Sequence, residues 1–236
     1  MISKEIVAPK IVSAAGFVVS RKRKLYKFAR FNELENCFQL EEWRNFVKNN
    51  PEKKGIDIVA EIGAGSALFL LEQAKKHTGQ TFVAVDIKSD RLYQGARIAQ
   101  EEKVNNIYFV RSRIEDMNEV FSKRSVIGLW LTFSDPYPRK SDERHRLTYK
   151  TYLKIYENIL GNNGLLYLKT DDKDFFNYSR QSFIDSNWKI LKLTRDLHGS
   201  KLLDEYKIMT TYESRFVKEG RKIYFFIAMP QKSKKI

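Results

Sequence analysis

The sequence is short of cysteine, histidine and long apolar segments. Cys37 is the one cysteine among 236 residues, so no disulfide can form within the chain, and a reducing compartment fits this composition. No apolar run approaches the roughly 20 residues that a membrane-spanning helix needs. The apolar stretch 11–19 runs directly into "RKRK" without a cleavage site, which argues against a secretory signal. We therefore expect a cytoplasmic protein that has no membrane partner.

Acidic residues are also few relative to basic ones. Lys and Arg total 43 against 29 Asp and Glu, which gives a formal net charge of +14. This excess favours a polyanionic partner, and nucleic acid is favoured over an anionic membrane because no long basic amphipathic helix is evident.

The densest basic stretch is "RKRKLYKFAR", residues 21–30, in which Tyr26 and Phe28 alternate with the charges. Basic groups there can neutralise phosphates and the aromatic rings can stack on bases, although a merely solvated segment would look the same. The predicted RNA contacts of this patch are Arg21, Lys22, Arg23 and Lys24.

Strand-like and helix-like patterns alternate after residue 55. Strands are predicted near 56–62, 81–86, 107–111, 126–133, 164–169, 188–193 and 222–229. Helices are predicted near 33–49, 66–77, 89–102, 146–160 and 172–186. The alternation indicates an α/β domain with a mostly parallel sheet covered by helices on both faces. We divide the chain into a basic extension with one helix, residues 1–50, and a main domain, residues 51–236.

A glycine-rich turn follows the first of these strands. Glu61 and Ile62 end the strand, and Gly63-Ala64-Gly65 precedes a helix, which allows a tight turn and a close approach of a ligand to the backbone. Asp86 ends the second strand, where a carboxylate can accept two hydrogen bonds from a ribose diol.

A negative charge at Glu61 disfavours a pyrophosphate and suits a ligand that carries a sulfonium and an ammonium group. Leu68 also stands where a dinucleotide-binding fingerprint has its third glycine. The turn therefore favours S-adenosylmethionine as cofactor over a nicotinamide dinucleotide.

A second group of functional residues follows the fourth strand, in "FSDPYPRKSDERHRL". Asp135 is followed by Pro136, Tyr137 and Pro138 and then by basic residues, and ligands of open parallel sheets bind outside the carboxyl ends of the strands. Ser141 is the predicted N-cap of the next helix. Asp171, after the fifth strand, supplies a second acid on the same rim.

These motifs resemble those of the bacterial tRNA (guanine-N7)-methyltransferases over about residues 34–230. The resemblance is carried by "EIGAGS", "FSDPYPRK…RHRLTY", "KTDDKDFFNYS", "DLH" and "MTTYESRF…GRKIYFF", in this order and with matching spacing. It implies a Rossmann-like class I methyltransferase fold, with a seven-stranded, mostly parallel sheet and an antiparallel last strand. It also implies an enzyme that transfers a methyl group from S-adenosylmethionine to N7 of a guanine in tRNA, namely the variable-loop guanosine at tRNA position 46.

The resemblance assigns roles residue by residue. Asp135 corresponds to the proposed catalytic acid, which also lies beside the cofactor. The cofactor-binding set becomes Glu61, Gly63, Gly65, Asp86, Arg113 and Asp135. The substrate-binding set is Arg139, Asp171, Thr210, Tyr212 and Glu213. Lys140 and Arg144 extend the predicted RNA-binding patch.

Three departures from the family pattern affect the site. Tyr137 stands where the family has Trp, and residues 141–143, "SDE", stand where it has basic residues. Arg113 stands where it usually has an acid that contacts the cofactor. Glu115 and Asp116 are the neighbouring acids that could take over this contact.

The chemistry requires no general base, because guanine N7 carries a free lone pair. The three histidines form no triad or metal pattern, and we predict no metal. Two alternatives stay open: methylation of another nucleic-acid base, since "SDPY" faintly resembles the motif of amino-methyltransferases, and an inactive RNA-binding relative. The chain could act as a monomer or a homodimer.

Overall fold

The computed structural model describes residues 29–50 and 57–231, and it contains one eight-stranded sheet. The strands are β1 (Cys37–Gln39), β2 (Ile58–Ile62), β3 (Thr81–Asp86), β4 (Ile107–Arg111), β5 (Val126–Thr132), β6 (Leu160–Thr170), β7 (Trp188–Thr194) and β8 (Tyr224–Pro230). The predicted patch at residues 21–24 lies outside the described residues.

Helices connect most of the strands. They are α1 (Leu40–Asn49), α2 (Leu68–Lys76), α3 (Ser89–Glu101), α4 (Met117–Val120), α5 (Lys150–Ile159), α6 (Lys173–Asp185) and α7 (Thr211–Lys218), with short 3-10 helices at Ile114–Asp116, Lys140–His145 and Asp204–Lys207. Asp172 caps α6, because its carboxylate accepts a hydrogen bond from the Phe175 N–H at 2.7 Å.

The strand order is β1-β4-β3-β2-β5-β6-β8-β7, and strands β2 to β6 run parallel. β8 runs antiparallel to both β6 and β7, as expected for the last strand. Because parallel strands end at one edge, the loops after β2, β3, β4, β5 and β6 meet along a single rim. All residues of the central strand β2 are buried, since helices cover both faces of the sheet.

The two faces of the sheet carry two apolar cores. On one face Ile58, Ala60 and Ile62 of β2 pack with residues of α5 and α6. On the other face Val59 packs with residues of α2 and α3, together with Trp130 of β5. The alternation within β2 therefore turns the side chain of Glu61 towards the second core.

The fold class is confirmed, with one strand more than the seven expected. The additional strand β1 pairs with β4, Cys37 opposite Phe109, so α1 begins at Leu40 and not near residue 33. Trp43 of α1 is buried, and its indole N–H donates to the Val120 carbonyl at 2.7 Å. Residues 37–39 are thus part of the sheet and α1 packs against it, and the division of the chain at residue 50 stays a prediction.

Two local predictions near Asp135 were wrong. Ser141 is not an N-cap: it lies within the 3-10 helix Lys140–His145, and its hydroxyl pairs with the Asp142 carboxylate at 3.3 Å. α5 begins at Lys150, four residues later than expected. The reason is that Arg146 adopts extended backbone to return towards the Asp135 loop. α7 was not predicted from the sequence.

Within residues 29–50 and 57–231, no helix is long and apolar enough to span a membrane.

Candidate active site

The glycine-rich turn between β2 and α2 is pulled onto the neighbouring strand. The N–H groups of Gly63 and Ala64 both donate to the Val85 carbonyl, at 2.9 and 3.1 Å. Gly63 has φ +70°, and a Cβ there would lie 2.9 Å from Leu147 Cδ1, while Gly65 has φ +56°. Both positions favour glycine because their backbone lies in the left-handed region, and at Gly63 the close approach of Leu147 also leaves little room for a Cβ.

Asp86 joins the end of β3 to this turn. Its Oδ2 accepts the Gly65 N–H at 2.8 Å, and its Oδ1 accepts the Lys88 N–H at 2.8 Å. Burial raises the pKa of this carboxyl, whereas the two backbone hydrogen bonds lower it. Each oxygen keeps a further lone pair, so the carboxylate can still accept hydrogen bonds from a diol.

Glu61 lies beneath the turn, 1% exposed. Thr132 of β5 donates a hydrogen bond to its Oε1, and its buried Oε2 has no hydrogen-bond partner among the described residues. Burial raises the pKa of Glu61 to about 7, against the lowering effects of the Thr132 hydrogen bond and the nearby Lys169 charge. A cation bound at the turn would favour the ionised form of Glu61.

Asp135 stands in the loop after β5, and its side chain is exposed. The backbone around it is unusual, because Phe133 has φ +50° and Tyr137 has φ +43°. Arg146 holds this loop: its Nε donates to the Pro136 carbonyl at 2.9 Å, and its Nη2 donates to the Tyr137 carbonyl at 3.0 Å. The guanidinium also lies over the ring of Tyr178, 4.0 Å from its centroid.

A cavity of about 570 Å³ opens along the rim between the ends of β2, β3, β4 and β5. Its lining residues are Ile62, Gly63, Val85, Asp86, Ile87, Lys88, Arg91, Ser112, Arg113, Ile114, Glu115, Phe133, Ser134, Asp135, Tyr137, His145, Leu147 and Tyr152. Of the predicted cofactor residues, Gly63, Asp86, Arg113 and Asp135 line this cavity. Gly65 and Glu61 do not: Gly65 donates its N–H to the lining residue Asp86, and Glu61 is buried.

The predicted substrate residues lie farther along the rim, outside the cavity lining. Asp171, after β6, forms an ion pair with Arg221. Thr210 caps α7 and accepts the Glu213 N–H at 2.9 Å, while Tyr212 is 62% exposed. Arg139 precedes the 3-10 helix that contains Lys140 and Arg144, and all three side chains are exposed.

Glu213 is fully buried, and its carboxylate binds three partners. Lys169 Nζ lies 3.2 Å from Oε2, His198 Nε2 lies 2.9 Å from Oε1, and the Thr210 N–H donates to Oε2 at 3.2 Å. Lys169 is also fully buried and donates to the Ile208 carbonyl at 2.8 Å. Burial lowers the pKa of Lys169, against the raising effect of Glu213. Glu213 therefore points into the protein, and its predicted contact with substrate stays a prediction.

Sequence reasoning missed the roles of Arg146, Lys169 and Tyr152. Arg146 was visible only as one more positive charge, and Lys169 only as a polar residue within a strand. A lysine among apolar residues of a central strand is the one signal that could have revealed a buried ion pair.

The described residues contain no group of three or more His, Cys, Asp or Glu that could hold a metal ion. They do fit S-adenosylmethionine: Gly63 of the glycine turn and the diol-accepting carboxylate of Asp86 line one cavity, and Glu61 is a buried acid at the end of strand β2.

Comparison with known proteins agrees with this geometry. A family model described as "Putative methyltransferase" matches residues 56–226. The chain is 35% identical over 193 residues to the tRNA (guanine-N(7)-)-methyltransferase of Mycoplasmopsis pulmonis, which covers 82% of this chain and 91% of the relative. It is 31% identical over 217 residues to the enzyme of that name from Cytophaga hutchinsonii. This match covers 86% of this chain and 96% of the relative.

Solved structures support the fold alone. A 30S ribosomal methyltransferase from an uncultured bacterium superposes with a TM-score of 0.56 at 16% identity, over 80% of this chain and 94% of that one. The 16S rRNA (adenine(1408)-N(1))-methyltransferase from Catenulisporales acidiphilia was solved with its cosubstrate SAM. It superposes with a TM-score of 0.55 at 13% identity, over 84% of this chain and 94% of that one.

The rim cavity, the fold and the relatives agree, and the chain belongs to the tRNA (guanine-N7)-methyltransferase family of S-adenosylmethionine-dependent enzymes.

Proposed function

We propose that this enzyme transfers the methyl group of S-adenosylmethionine to N7 of a guanine in tRNA, and that the target is the variable-loop guanosine at position 46. The observation that carries the proposal is the identity of 31–35% to enzymes of this name over most of their length. The cavity that ends at Asp135 supports it. We also propose a cytoplasmic location and action as a monomer or homodimer.

The cofactor supplies an electrophilic methyl group on a sulfonium, and the protein must align a nucleophile behind it and exclude water. Guanine N7 needs no base, so Asp135 has a different role. Its carboxylate lies on the cavity rim, where it can accept a hydrogen bond and stabilise the positive charge that appears on the purine. Arg146 keeps Asp135 in place through the carbonyls of Pro136 and Tyr137.

Substrate binding is proposed at the neighbouring part of the rim. Tyr212 is exposed on α7 and can stack on a base, while Thr210 fixes the start of that helix. Asp171 is paired with Arg221, so we propose that the guanine edge competes for this ion pair when it binds. We propose that the exposed side chains of Arg139, Lys140 and Arg144 bind phosphates.

The decisive experiment is nucleoside mass spectrometry of tRNA incubated with enzyme and isotope-labelled cofactor. We expect label in 7-methylguanosine, whereas label in a methylated adenosine or cytidine would overturn the proposal. A transcript with adenosine in place of guanosine at position 46 is the matched control and should stay unlabelled; equal labelling would refute the position.

A further inference from the structure

The order of the strands decides how the cofactor lies in the cavity. The rim runs β4, β3, β2, β5, with neighbouring strands about 4.8 Å apart. The reacting end of the cofactor belongs between the glycine turn of β2 and Asp135 of β5, and the ribose belongs at Asp86 of β3. The third part of the molecule, the adenine ring, then lies at the end of β4.

The end of β4 presents few groups that could recognise an adenine. The cavity lining there consists of Ser112, Arg113, Ile114 and Glu115, while Asp116 occupies the N-cap position of α4 and does not line the cavity. The 6-amino group of adenine is a donor and needs an acceptor. The Arg113 guanidinium carries only donors, so it cannot serve this group.

Glu115 carries acceptor oxygens at this end of the cavity, and a second residue orients its carboxylate. Tyr152 of α5, itself part of the cavity wall, donates its hydroxyl to Glu115 Oε1 at 3.0 Å. This bond leaves Oε2 and the remaining lone pairs for a ligand. Burial, together with the Glu115 hydrogen bond, raises the pKa of Tyr152 to about 12, so the hydroxyl remains a donor at neutral pH.

We propose that Glu115, oriented by Tyr152, is the residue that recognises the 6-amino group of the cofactor's adenine in this protein. The proposal rests on the cofactor assignment, and it places on Glu115 a contact that Arg113 cannot make.

Binding of two neutral ligands to the full-length chain, measured by isothermal titration calorimetry, tests this. S-adenosylhomocysteine carries the amino group, and S-inosylhomocysteine has a carbonyl oxygen instead. The unmodified chain should prefer the adenine ligand by about tenfold or more, the worth of a charged hydrogen bond. In Glu115→Ala this preference should fall to about twofold or less.

Asp116→Asn is the matched control, because it removes the adjacent charge and should leave the preference unchanged. The ratio of the two affinities is insensitive to partial unfolding, because partial unfolding lowers the apparent affinity for both ligands by the same factor. An unchanged preference in Glu115→Ala would overturn the assignment. If the unmodified chain bound neither ligand, the cofactor assignment itself would fall, and this inference with it.

Discussion

At the scale of single residues, the site depends on side chains that hold others in place. Arg146 is an example: its guanidinium bonds the carbonyls on the C-terminal side of Asp135, next to Tyr137 in its positive-φ conformation. Lysine cannot reproduce this contact, because it lacks the planar fork that reaches two carbonyls at once.

Arg146→Lys should therefore slow methyl transfer about tenfold, equivalent to about 1.4 kcal/mol, while the affinity for S-adenosylhomocysteine changes less than about twofold. Single-turnover transfer to tRNA measures the first quantity and calorimetry the second. A normal rate would show that the loop keeps its shape without the fork.

Glu61 predicts a pH-dependent stability. Its folded pKa is about 7 against an ordinary 4.5, so the folded chain holds the proton more tightly than the unfolded chain. The free energy of unfolding should therefore fall as pH rises through this window, by up to about 3 kcal/mol, and the loss should be complete above about pH 7.

Glu61→Gln removes this titration. Urea unfolding measures the free energy of unfolding of both chains at about pH 5 and about pH 8. The difference between variant and parent should be about 2 kcal/mol more in favour of the variant at about pH 8 than at about pH 5. An equal difference at both pH values would mean that Glu61 is ionised throughout.

At the scale of elements, a buried ion pair attaches α7 to the sheet. Lys169 of β6 binds both the Glu213 carboxylate of α7 and the Ile208 carbonyl before it. The same lysine lowers the pKa of Glu61 across the sheet. Strand β6, which Asp171 follows, thereby positions the segment that carries Tyr212.

Lys169→Met should destabilise the protein by about 3 kcal/mol, because it leaves the Glu213 carboxylate buried with less compensation. The double variant Lys169→Met/Glu213→Gln should recover part of this loss, since no unpaired charge remains. Urea unfolding of both single variants and the double variant measures the coupling. Additive effects would refute a linked pair.

At the scale of the whole molecule, the charge of +14 predicts binding to tRNA that weakens steeply with salt. If these side chains contact phosphates, replacing Arg21, Lys22, Arg23 and Lys24 by Ala should make the slope of log affinity against log salt about 3 less negative.

A matched control removes four other charges. The control replaces four exposed lysines at the edge of the sheet opposite the rim, where the strands begin: Lys76, Lys103, Lys123 and Lys189. Replacing them by Ala should leave the slope nearly unchanged. Equal slopes for both quadruple variants would show that residues 21–24 do not contact RNA.

Much of this protein follows from sequence alone. Short β-branched strands that alternate with amphipathic helices predict a parallel sheet, because the spacing of apolar residues within each segment shows which of its faces is buried. Parallel strands end at a common edge, so Gly63, Asp86 and Asp135 had to converge. The glycines, the acids and their spacing were therefore enough to predict the cavity.

Only the tertiary structure decided which groups are paired and which are available. Glu213 and Lys169 are 44 residues apart, Tyr152 and Glu115 are 37 apart, and their contacts depend on how helices dock on the sheet. No local pattern encodes such contacts, since burial and a distant partner determine whether a charge binds a ligand or another side chain. The fold and the position of the rim follow from the sequence, whereas the packing of helices on the sheet determines which side chains face the rim.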